Sequence, residues 1–90
     1  MPYSTINKVI DEVSVELDDS YDHSEAWLEE PEQIRIFVND PEGVDEFGID
    51  AIVTPITQKF GYNDIDIKVL DRGYYEEEVG NKLSIRFILE

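Results

Sequence analysis

Apolar residues recur at helical spacing in two stretches of this chain and alternate with polar ones in three others. Ile6, Val9, Ile10, Val13 and Leu17 share one helical face and Ser4 is placed to cap it, which predicts a helix over 5–18. Its opposite side carries Lys8, Asp11, Glu12, Glu16 and Asp19, with Asp18 at the edge and Val15 interrupting the polar run. Ile49, Ile52, Val53, Ile56 and Phe60 repeat that spacing, from a start near Asp45 to a stop at Gly61. Pro55 lies on the solvent side of this second helix. Because an interior proline removes a backbone donor, the competing expectation is a break at Thr54, with Thr54 capping a shorter helix that begins at Pro55.

Glu32 to Asn39 alternates, with Ile34, Ile36 and Val38 on one side and Arg35 and Phe37 on the other. Asp64 to Leu70 turns Ile65, Ile67 and Val69 inward, and Leu83 to Leu89 does the same with Leu83, Ile85, Phe87 and Leu89. Asn39-Asp40-Pro41-Glu42-Gly43 is turn chemistry that ends the first strand. The last two strands read as an antiparallel hairpin that extends through Tyr74 and Tyr75 to a turn at Gly80-Asn81. Ser20 to Pro31 has no long period, and a short helical turn from Ser24 with Trp27 and Leu28 facing the core is expected there.

The order α-β-α-β-β defines an α+β domain. A right-handed crossover through the second helix makes strands one and two parallel, and the last strand, the most apolar, lies between them. The expected fold is a three-stranded antiparallel sheet of order 1-3-2 with two helices on one face. The other face would show Phe37, Leu70 and Ile88 among Arg35, Asp66, Lys68 and Arg86, and an apolar patch of that kind marks these three as the expected dimerisation surface.

Ninety residues make a single domain, 1–90, too small for a deep enclosed active site beside its core. Without cysteine there is no disulfide framework, and no apolar run approaches the roughly 18 residues of a membrane span. A soluble intracellular protein is expected. Charge changes the picture more. Residues 1–8 contribute +1, residues 9–58 contribute −14 and residues 59–90 contribute −2, giving the net −15. A field so concentrated in one sign attracts cationic surfaces and repels nucleic acid.

Catalytic and metal chemistry finds little support in the residues. Asp64 and Asp66 project on one strand face, but acid–base work needs a cleft that splits two pKa values. His23 has no cysteine, second histidine or serine motif beside it, and reads as a solvated loop residue. The acidic run Asn39 to Glu46 has proline and glycine in the wrong places for a calcium loop. No enzyme activity, cofactor or dedicated metal site is therefore expected. Trp27, Tyr21, Tyr74 and Tyr75 read as core or rim aromatics, and Glu76-Glu77-Glu78 as a solvated hairpin tip.

Duplex DNA supplies a scale. A compact domain of this length has a diameter near ~30 Å, and duplex of that length carries roughly 18 charges. Twenty-two carboxylates match it. Carboxylates at i and i+4 on a helix also stand about 5–6 Å apart at Cβ, comparable with steps along a phosphate strand. The segments Trp27-Leu28-Glu29-Glu30-Pro31-Glu32 and Val38-Asn39-Asp40-Pro41-Glu42-Gly43-Val44-Asp45-Glu46, with the length and acidity, resemble the small phage anti-restriction DNA mimics of the Arn type. That resemblance implies a dimeric decoy in the host cytoplasm that occupies the DNA site of a restriction endonuclease, with histone-like nucleoid proteins as further targets. The expected phosphate surrogates are Asp11, Glu12, Glu16, Asp18, Asp19, Asp22, Glu25, Glu29, Glu30, Glu32, Asp40, Glu42, Asp45, Glu46 and Asp50. The alternative is an acidic interaction module that binds through Phe37, Leu70 and Ile88, with charge serving only solubility.

Overall fold

A computed structural model describes residues 3–41, 45–77 and 80–90. Two helices and four strands follow in the order α1 (Tyr3–Ser20), β1 (Glu25–Glu30), β2 (Gln33–Asn39), α2 (Glu46–Gly61), β3 (Ile67–Glu77) and β4 (Gly80–Leu89). The domain is α+β, and every neighbouring strand pair is antiparallel. The sheet has four strands in the order β1-β2-β4-β3, which corrects the expected three in the order 1-3-2. The additional strand is Glu25–Glu30, where a helical turn was expected. It alternates, with Ala26 buried toward the helices and Glu25 exposed, and pairs Ala26 with Ile36 and Trp27 with Arg35.

α1 continues past the expected Asp18, to Ser20. α2 runs unbroken through Pro55, because that ring lies on the exposed side and tertiary packing of Ile52, Ile56 and Phe60 holds both halves in line. Asp45 caps it, its Oδ1 accepting from Gly48 N–H at 2.8 Å. Both helices pack on the sheet face that carries Ile34, Ile36, Val38, Leu83, Ile85 and Phe87, forming one apolar core.

Three strand details differ from expectation. β3 begins at Ile67, so Asp64 and Asp66 stand in the preceding turn and connection and not side by side on a strand. A bulge between Val69 and Asp71 inserts Leu70 as the unpaired residue, and Asp71 takes its place opposite Arg86. Val69, expected inside, is 39% exposed because the helices do not reach that far across β3. Gly80 and Asn81 belong to β4, and the residues between β3 and β4 lie outside the described ones.

The molecule measures 40 × 22 × 21 Å. Its radius of gyration of 12.5 Å suits its length, yet the long axis exceeds the ~30 Å of a sphere-like domain.

Candidate functional site

Ser20 and Tyr21 of the α1 end line the same groove as Ala51 and Ile52 of α2, while Glu12 and Glu16 reach Lys59 further along. The helices therefore run antiparallel, with the last turn of α1 beside the first turns of α2. Asn39 N–H donates to Ser24 Oγ at 2.8 Å and Asp40 N–H to the Asn81 carbonyl at 2.7 Å. These bonds set the start of β1, the end of β2 and the start of β4 at that same end.

The topology thus brings Asp18, Asp19, Asp22, Glu25, Asp40, Asp45, Glu46 and Asp50 to one end of the molecule, all exposed. Asp11, Glu12 and Glu16 continue the acidic surface along the outer side of α1, also exposed. Glu29, Glu30 and Glu32 are exposed at the opposite end of β1 and do not join the cluster. Glu42 lies outside the described residues.

Local bonds hold several of these acids. Asp18 Oδ1 accepts from His23 N–H at 3.0 Å, which fixes the exit from α1 and holds His23 at φ 63°. Asp40, itself at φ 48°, accepts from Asn81 N–H at 2.8 Å. Aspartate is one of the few residues besides glycine that visit that left-handed backbone at modest cost.

The cations are placed mostly elsewhere. Arg35 binds Glu29 through Nε and Nη2 at 3.2 and 3.1 Å and Ser84 Oγ through Nη1 at 2.6 Å. Arg86 pairs with Asp71, and Lys68 with Glu90 at 3.7 Å. Lys59 pairs with Glu16 and stands 3.8 Å from Glu12, tying α2 to α1. Lys82 is the cation at the acidic end, donating to Asn39 Oδ1. Its hydrogen bond to Glu16 holds Lys59 above its ordinary pKa of 10.5, and the Asp71 hydrogen bond likewise raises that of Arg86.

The expected dimerisation residues do not form one patch. Phe37 stands opposite Ser84 and Ile88 opposite Gln33, and the row between them pairs Arg35 with Arg86. Two guanidinium groups with their carboxylates therefore separate Phe37 from Ile88, while Leu70 projects from the bulge at the far edge. Sequence reasoning missed a shallow cleft on that face, between Trp27, Phe37 and Tyr75. Trp27 and Phe37 flank Arg35 there because β1 is a strand. Among the described residues, no group of three or more His, Asp or Glu side chains is arranged to hold a metal ion, and no helix is long and apolar enough to cross a membrane.

No protein-family model and no curated protein matches the chain. Its fold is similar to that of a mutant of T. tengcongensis H-NOX, with a TM-score of 0.59 and 17% identity. The likeness covers 96% of this chain and 49% of that one, so the chain spans about half the length of that protein. At this identity it speaks for the fold alone.

Proposed function

We propose that the protein is a DNA-mimic decoy whose acidic surface stands in for duplex phosphates and competitively blocks a basic DNA-binding protein of the host. A restriction endonuclease or a histone-like nucleoid protein is the kind of target this chemistry fits, met in the host cytoplasm. The observation that carries the reading is the gathering of eight exposed acids at one end, continued by Asp11, Glu12 and Glu16 along α1. Arg35, Lys68 and Arg86 are paired away from that end, and Lys59 meets Glu16 and Glu12 farther along α1. Scale agrees as well. Duplex 40 Å long carries about 24 charges at one per ~1.7 Å, against 22 carboxylates here.

The alternative module binding through the sheet face has less support, because Arg35 and Arg86 divide the apolar residues it would use. That face does mix both signs of charge, and so offers a second like-charged copy its least repulsive approach. A homodimer formed there leaves the acidic end of each copy free.

Displacement of labelled duplex from a purified histone-like nucleoid protein, titrated at increasing ionic strength, tests the decoy. Displacement is expected to weaken steeply with salt, and to weaken at every salt when Asp18, Asp19 and Asp22 are changed together to asparagine. Displacement indifferent to salt rejects the reading.

A further inference from the structure

The seam between α1 and α2 is not closed by packing. It leaves a half-open groove of about 170 Å³ with Leu17, Ile52 and Ile56 at its floor and Tyr21 and Pro55 on its walls. An apolar cavity of roughly 150 Å³ admits benzene. This one therefore has room for one phenylalanine-sized side chain. Its rim is not neutral. Glu16 stands on the wall with Lys59 as its counter-ion. Asp19 and Asp22, the sequence neighbours of the lining residues Ser20 and Tyr21, have no counter-ion among the described residues and stand at the end that carries the other acids.

We infer that this groove receives a single apolar side chain from the basic partner, one flanked by lysine or arginine, so that the protein adds an anchor that duplex DNA lacks. The inference rests on the decoy reading and extends it to how the partner is held. Charge selects the occupant. A second copy of this chain offers exposed Phe47, but Asp45, Glu46 and Asp50 surround that residue in sequence and meet the carboxylates of the rim. A cationic segment meets attraction at the same place, and its apolar residue then leaves water against Leu17, Ile52 and Ile56.

Two synthetic peptides test this, alternating lysine and alanine over about a dozen residues and differing only at a central position, phenylalanine in one and alanine in the other. Isothermal titration across ionic strength should give both peptides the same salt dependence. The phenylalanine peptide should bind about tenfold more tightly at every salt, as burial of one aromatic side chain provides. Ala51→Leu on the groove wall fills the space without changing charge, and should remove that tenfold difference while leaving the salt dependence intact. Methyl spectra of the unaltered protein give a readout independent of the variant's folding. The Ile52, Ile56 and Leu17 methyl signals should shift with the phenylalanine peptide and not with its alanine twin. Equal binding of the two peptides, or a difference that survives in folded Ala51→Leu, overturns the groove and leaves the decoy standing. Loss of the groove signals on self-association of the protein alone assigns the site to a second copy and also overturns it. Binding of both peptides without salt dependence removes the decoy reading itself.

Discussion

Asp19 sits in the last turn of α1, a turn with no basic residue, where the helix presents its unsatisfied carbonyls. A carboxylate there opposes the macrodipole by about 0.3–1 kcal/mol at low ionic strength. Asp18 is no cleaner probe, because its carboxylate accepts from His23 N–H and helps end the helix. Asp19→Asn removes the charge with little change in volume or helix propensity. In a domain of this size each kcal/mol moves the midpoint by about 4–8 °C, so Tm should rise by about 1–8 °C. Thermal unfolding followed by circular dichroism, in roughly 10 mM and then roughly 1 M salt, reads the effect as the Debye length falls from about 30 Å to about 3 Å. The gain should shrink in high salt. Asp11→Asn makes the same charge change in the middle of the helix and reports relief of general repulsion alone. If Asp19→Asn is no more stable than Asp11→Asn at low salt, or keeps its whole gain at high salt, the dipole argument is wrong. The stabilised variant should also displace duplex DNA less well, since it gives up one anion from the acidic end.

Pro55→Ala restores a backbone donor inside α2 on its exposed side, and should stabilise the fold by about 1–2 kcal/mol in a urea titration after the unfolded chain's gain in freedom is set against it. Lys59→Met removes the cation that joins α2 to Glu12 and Glu16; an exposed pair of this kind contributes at most about 1 kcal/mol, and binding of a basic partner should tighten as the α1 acids lose their counter-ion. Because the folded-state pKa of Lys59 is raised, its contribution is fully present below 10.5 and lost as pH rises through the higher folded value, so the variant's deficit in Tm should be flat across neutral pH and vanish only in strong alkali. Ser84→Ala leaves Arg35 Nη1 without its acceptor at a buried position, and should cost about 1–3 kcal/mol by denaturant unfolding, more than an exposed serine-to-alanine change.

Both helices were legible because five apolar residues in each keep the helical period and pack on one core, and that packing also carries α2 past Pro55. β1 was not. Its residues Glu25, Glu29 and Glu30 have poor strand propensity, and its alternation spans only Ala26, Trp27 and Leu28, so charge masked the period. An edge strand tolerates those glutamates because they face water. The bulge at Leu70 was hidden for a different reason. Alternation assumes an unbroken register, and one inserted residue moves everything beyond it to the other face. The acidity of the chain could be counted, but not its placement. Asp40 and Asp45 reach the neighbourhood of Asp19 only because the helices run antiparallel and β2 ends beside the start of β1, and the same topology sends Glu29, Glu30 and Glu32 to the far end.

Ser14 of α1 accepts a hydrogen bond from Ala26 N–H at 3.2 Å, on the side of β1 turned away from β2. The helix thereby occupies an outward backbone donor that an unpaired border strand ordinarily offers to a neighbour. β3, at the other border, is interrupted by the Leu70 bulge, which bends the strand and breaks its regular ladder. Both borders of the sheet therefore carry something that works against strand-to-strand joining of copies, a helix hydroxyl at one and a bulge at the other. Near the isoelectric point of about 4.1, where mutual repulsion fades, these two border features are what remains to oppose extension of the ladder from copy to copy.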